Sequence, residues 1–262
     1  MDIHKPKAAH SWREFLIEIG TIVCGILIAL GLEQVAEQLH WSHKIHEAEK
    51  AMRAELTEDD GPQAYARLVA VACYDAQLAA LQAQASKGMD RQAFHKAAIA
   101  YSPPNRTWDQ QAWQSAIAAD IGTHVGAEQM QKWSAAYSLI PGMQIGADQE
   151  LKNRDLLPAL RDLPGRLSEA ETDRVVERIA TLRGINTHLA ASSLALLQFM
   201  RQAGLVVPPA TRAAIIRQAR VAYGSCARDP DASHRSGLRL DDFGQFDAGG
   251  AVREALDLPP LS

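Results

Sequence analysis

Residues 15–32, FLIEIGTIVCGILIALGL, are apolar at nearly every position, with Glu18 and Thr21 the exceptions. A run of that length predicts a helix that crosses a bilayer. Trp12 and Trp41 bracket it, and at 1.5 Å per residue their separation is roughly 43 Å, about the thickness of a bilayer with its headgroups. No Gly or Pro follows Leu32 until Gly61, so one long helix is expected to run out of the apolar stretch to a turn at Glu58-Asp59-Asp60-Gly61-Pro62.

Beyond that turn the apolar positions recur at helical spacing. A second helix is expected after Pro62, with Leu68, Val71, Leu78 and Leu81 inward and Lys87-Gly88 at its end. Ser102-Pro103-Pro104-Asn105 reads as a loop. Thr107 and Gln110 match a capping box opening a helix with Trp113, Ile117 and Ile121. Met130, Trp133, Tyr137 and Ile140 form the next stripe, interrupted at Pro141-Gly142 and resumed over 151–160, with a turn at Pro164-Gly165.

Ser168 and Glu171 make a second capping-box pattern. After it Ile179, Leu182, Asn186, Leu189, Ser193, Leu196 and Met200 alternate spacings of three and four, a coiled-coil-like seam on a helix of about 35 residues. The last expected helix, 209–223, opens on Pro209 and offers Ile215 and Ile216 as apolar contacts. After Gly224 the periodicity fades into Ser, Asp, Arg and Gly. No segment alternates as a strand would. The predicted class is all-α: an N-terminal transmembrane helix continuing into a helical bundle. Its parts are a cytoplasmic tail over 1–14, the span over 15–36, a helical extracytoplasmic domain over 37–224 and an irregular tail over 225–262.

Charge sets the orientation. Lys5, Lys7 and Arg13 precede the span, whereas Glu33 and Glu37 follow it and no Lys or Arg occurs before Lys44, so the positive-inside rule places the N terminus in the cytoplasm of a bacterial inner membrane and the domain in the periplasm. A cleaved signal peptide with Ala29 and Gly31 at its end is the competing reading, and it exports the same domain. A net charge of −4 and a pI near 6.1 give no basic footprint for nucleic acid. In an oxidising compartment Cys73 and Cys226 become an even pair, Cys24 lying in the span. A disulfide between them and two buried thiols both remain open, and a bond would require Cα atoms about 4.4 to 6.8 Å apart.

His4-Lys5-Pro6-Lys7, Trp12-Arg13-Glu14-Phe15-Leu16 with Glu18-Ile19, and Gly25-Ile26-Leu27-Ile28-Ala29-Leu30-Gly31 with Glu33-Gln34, Glu37 and His40-Trp41 carry a resemblance. They are similar to the opening of an uncharacterised bacterial family of single-span membrane proteins, common in alphaproteobacteria and their relatives. The resemblance covers about the first 55 residues. It implies an uncleaved inner-membrane anchor with a helical domain, and it implies no activity or cofactor.

Three constellations of polar residues stand out. Glu18, Thr21, Gly25 and Ala29 fall within about 80° of one another on a helix, a small polar face suited to a homodimer of spans; the alternative is a Glu18 that reaches the headgroups beside ordinary small neighbours. Glu37, His40, His43 and Glu47 share a helical face, yet no HExxH or CxxC accompanies them, and the preferred reading is a polar helix leaving the membrane without a metal. Asn186 and Ser193 interrupt the apolar seam, either fixing register or lining a polar pocket. His188 is expected to be exposed. No GxSxG elbow, phosphate-binding loop or paired carboxylates in a glycine-rich loop occur, so no catalytic residue or cofactor is named. The expected function is a non-enzymatic interaction or scaffold module whose partners are the lipid bilayer and an envelope protein. A ligand-sensing domain acting through a partner is the first alternative and an enzyme the second.

Overall fold

The computed structural model describes residues 12–104, 106–157 and 164–231. Among them the chain is helical and has no strand, only one isolated bridge between Asp90 and Arg166. Two compact units are present, residues 1–49 and 50–262.

The first unit is the apolar part of α1 (Trp12–Ala54). Its large apolar side chains are exposed along the whole stretch, from Phe15 through Ile22 and Ile26 to Leu32. It belongs to the one helix among the described residues that is long and apolar enough to cross a membrane.

The second unit holds the core. The expected turn at Gly61-Pro62 does not form: helical backbone continues from Phe15 to Ser86, passing through a π-helical segment, Glu55–Asp60, into α2 (Gly61–Ser86). Proline inside a helix removes a donor and crowds the carbonyl four residues back. The wider π turn just before Pro62 relieves that crowding, and the Gly61 N–H donates to the Leu56 carbonyl five residues earlier. Gly61 keeps helical angles. Its role is space, since a Cβ there would lie 2.5 Å from the Leu56 carbonyl oxygen and 2.7 Å from Met200 Cε.

After α2 come α3 (Arg91–Ala100), capped by Asp90, and α4 (Gln111–Ala118). The Thr107 capping box is not made. Trp108 N–H donates to Gln144 Oε1 and Gln63 Nε2 donates to the Thr107 carbonyl, holding these residues in a tertiary contact instead. The α4 start is satisfied by Asp109 Oδ1, from Gln111 N–H at 3.0 Å, and by Glu55 Oε2, from Ala112 N–H at 3.0 Å. In α5 (Ala127–Tyr137) and α6 (Ile140–Leu156) the break falls at Ser138-Leu139 rather than at Pro141-Gly142. Pro141 opens α6, where its missing N–H costs nothing.

Helix α7 (Glu169–Gln202) starts at the Ser168/Glu171 capping box as expected. All seven seam positions from Ile179 to Met200 are buried, and α7 packs chiefly on α2, with α6 also against it. Gly146 allows the α6 approach, for a Cβ there would stand 2.8 Å from Leu189 Cδ2. The final helix, α8 (Pro209–Tyr223), packs on α2 and leaves Ile215 and Ile216 half-buried.

The chain beyond Gly224 is not loose over the part described. Cys226 is bonded to Cys73 of α2 with Cα atoms 5.2 Å apart. Arg228 N–H donates to the Val69 carbonyl, the Tyr65 hydroxyl reaches Asp229 and Asp231, and Arg212 Nη1 pairs with Asp231 at 2.5 Å. Residues 232–262, the rest of the expected tail, lie outside the described residues, as do 1–11 and 158–163. Cys226→Ser is expected to lower stability by roughly 2–4 kcal/mol, because a closed loop of some 150 residues restricts the unfolded chain. Thermal unfolding with and without reductant checks this, and an unchanged midpoint would contradict it.

Candidate functional site: a buried polar network between helices

Charged side chains sit where α2, α6 and α7 meet. Arg67 is 1% exposed. Its Nη1 donates to Glu150 Oε1 of α6 at 2.9 Å and to Asn186 Oδ1 of α7 at 3.2 Å, and its Nη2 pairs with Glu150 Oε2. Asn186 Nδ2 in turn donates to the Val71 carbonyl at 3.2 Å. One guanidinium therefore ties three helices. Burial works to lower the Arg67 pKa, but the hydrogen bonds and charge of Glu150 outweigh it and hold the group more firmly protonated than usual.

Two turns further along α2 a second buried pair repeats the logic. Arg183 Nε and Nη2 meet the two oxygens of Asp75, each at 3.2 Å, fork against fork. Tyr74, beside Asp75 in the chain, has its ring 5.4 Å from the Arg67 guanidinium and edge-to-face with Tyr223 at 5.5 Å. Tyr101 is also buried and its hydroxyl has no partner among the described residues; burial raises its pKa.

Arg106 completes the group from the loop before α4. It is 8% exposed, and its Nη1 has no hydrogen-bond partner among the described residues. Burial, then the like charge of Arg67, lowers its pKa, only partly offset by Tyr74 and by the charge of Glu150. A narrow cleft bounded by Pro103, Pro104, Arg106, Glu150 and Arg154 opens beside it.

A separate corner surrounds the π-helical segment. Asp60 is fully buried; its Oδ1 accepts Asp109 N–H at 3.3 Å and its Oδ2 has no partner among the described residues. Burial raises its pKa to about 7, the Asp109 N–H opposing and the charges of Glu55, Asp109 and Asp59 adding.

Of the residues singled out by sequence, Asn186 takes a structural place, bonded to Arg67 and Val71 and thus fixing α2 against α7. It does not bond Ser193, whose buried hydroxyl has no partner among the described residues. His188 is exposed. Glu18, Thr21, Gly25 and Ala29 lie exposed on α1, where Thr21 Oγ1 donates to the Ile17 carbonyl at 2.8 Å. Glu37, His40 and His43 are exposed on the same helix, and no metal-competent group of His, Cys, Asp and Glu occurs among the described residues.

Sequence reasoning missed Arg67, Asp75, Arg106, Glu150 and Arg183. A signal existed for three of them: Arg67 and Asp75 stand four residues on either side of Val71 on the apolar face of α2, and Arg183 stands three before Asn186. Charges on an inward stripe imply partners, because an unpaired charge is rarely buried. Arg67 and Arg183 are each paired with a buried carboxylate from another helix, so both pairs hold helices against one another. Compared with family models, with curated proteins and with solved structures, the chain matches none.

Proposed function

We propose that the chain is a bitopic protein of the bacterial inner membrane, its N terminus cytoplasmic and its helical domain periplasmic, acting as a non-enzymatic interaction module. The observation that carries the anchor is the exposed apolar surface of 15–32. Eleven large apolar side chains in that stretch are exposed, and leaving them in water would cost more than about 10 kcal/mol, comparable with a whole domain's stability. A bilayer covers that surface.

The flanking charges support the orientation, and the Cys73–Cys226 disulfide supports an oxidising compartment. A homodimer through the Glu18, Thr21, Gly25 and Ala29 face, and kinship with the uncharacterised single-span family, belong to the same reading.

Fusions after Ser262 test the topology. Alkaline phosphatase should be active there and a fluorescent protein that matures only in the cytoplasm should be dark. The opposite pattern, or release of the protein from membranes by alkaline carbonate, would overturn the reading.

A further inference from the structure

Residues 224–231 lead from the end of α8 onto α2 as a strap, irregular apart from one 3-10 turn at Gly224–Cys226. Gly224 is its hinge. With φ at 75° it holds a conformation that side chains disfavour, so the chain turns sharply where α8 stops. Past the hinge the strap is held by the Cys73–Cys226 bond, by the buried Ala227 with the Arg228 N–H on the Val69 carbonyl at 3.0 Å, and by the carboxylates of Asp229 and Asp231.

These contacts are unequal. Tyr65 faces both carboxylates at 3.1 Å with a single proton to give, so it serves one of them at a time. Burial, then the charges of Asp231 and Asp229, raise its pKa and keep that proton in place. The Asp231 pair with Arg201 is 3.3 Å long and the arginine is 62% exposed, where water takes most of its strength; Arg212 is the closer partner. Ordering Ser225 to Asp231 costs backbone freedom at every residue. One buried alanine, one backbone hydrogen bond and part-exposed ion pairs do not offset that cost alone, and the covalent bond makes up the difference by fixing the near end of the strap to α2.

We propose that the Cys73–Cys226 bond is a redox latch, whose reduction by a dithiol releases the strap from α2 and bares the Arg201–Arg212 corner while the helices beneath stay folded. Cys226 is half-buried and Cys73 is 1% exposed, so the dithiol's thiolate attacks Sγ of Cys226. The bond between the two sulfurs breaks, its electron pair leaves on Cys73, and Cys73 takes up a proton. The second thiol then displaces Cys226 from the mixed disulfide, leaving two protein thiols and an oxidised dithiol. What release uncovers is basic. Residues 201–228 include five arginines and no Asp, Glu or Lys, and Asp231 neutralises Arg201 and Arg212 while the strap is closed. The domain survives because a bond across so long a loop acts chiefly on the unfolded chain, and the Arg67–Glu150 and Arg183–Asp75 pairs between its helices do not involve the strap. All these residues belong to the second unit, so the latch stands or falls separately from the membrane topology.

Full-length protein in detergent micelles is treated with dithiothreitol, and amide hydrogen exchange is followed by mass spectrometry alongside far-UV circular dichroism. Reduction should speed exchange over 226–231 by about tenfold or more, while α2 and α7 stay protected and the helical signal is kept. Removing the dithiol and adding oxidised glutathione should restore the slow rate. In Cys226→Ser the strap should exchange fast with or without dithiol. Asp229→Asn/Asp231→Asn with the bond intact should stay within about threefold of the wild type, since part-exposed pairs contribute little. Slow exchange of 226–231 in protein whose two thiols are confirmed by alkylation overturns the proposal. So does a bond that dithiol reduces only in denaturant, or a loss of protection in α2 and α7 together with the strap. An open strap in oxidised Asp229→Asn/Asp231→Asn overturns it equally, because the ion pairs would then be the latch.

Discussion

Glu150→Leu is expected to destabilise the folded domain by about 3–5 kcal/mol, among the largest effects of any single substitution here, because it strands a buried cation rather than because it deletes a strong bond. Arg67 is 1% exposed and its other partners are Asn186 Oδ1 and the face of Tyr74. Neither carries a compensating charge. The double variant Arg67→Met/Glu150→Leu should recover most of the loss, since two apolar side chains replace a pair that roughly breaks even against its own desolvation. Denaturant midpoints of the four members of that cycle give the coupling directly. A double variant as unstable as Glu150→Leu alone would show that the three-helix contact depends on the ion pair itself.

Asp60→Asn should change the pH dependence of stability by a comparable amount. The folded pKa of about 7 lies above an unfolded value near 4, burial being the main cause. Below pH 4 the group is protonated in both states, and its full contribution is present. From pH 4 to 7 the unfolded chain gives up the proton that the folded chain retains, so unfolding becomes easier at about 1.4 kcal/mol per pH unit. Above pH 7 the loss is complete, at about 4 kcal/mol as an upper bound. Asparagine keeps the oxygen that accepts Asp109 N–H and cannot ionise. The variant should therefore match the wild type near pH 4 and exceed it at pH 8, read from denaturant midpoints at the two pH values. Equal midpoints at pH 8 would place water or a cation beside Oδ2.

Helix positions and the buried face of α7 were legible because they depend on local periodicity. The seam from Ile179 to Met200 could be read one residue at a time, since a repeat alternating between three and four leaves the same face inward whatever it meets. Ser168 and Glu171 are likewise a local bargain between a side chain and its own helix start. The apolar stretch over 15–32 needs no tertiary partner to be recognised, and it is the reason an anchor could be proposed.

Failures cluster where a distant group replaced the local one. Gly61-Pro62 has the composition of a turn, yet the π-helical segment absorbs the proline and Met200 of α7 claims the space a side chain would fill. Thr107 has the spacing of a cap, yet Asp109 and Glu55, the latter from beyond two intervening elements, satisfy α4. Pro141 reads equally well as a stop or a start, and it takes the first turn of α6.

The class, the long helices, the apolar stretch and the seam follow from periods of a few residues along one helix, which the chain carries without reference to any partner. Contacts between helices far apart in the chain fix which charges are buried together, that Cys73 meets Cys226, and that Arg106 is enclosed near the Arg67–Glu150 pair. Those outcomes depend on pairs separated by tens of residues, such as Arg67 with Glu150 and Asp75 with Arg183. A lone arginine in a helix looks the same in sequence whether it faces water or a buried partner, because what distinguishes the two is the desolvation imposed by helices it has not yet met.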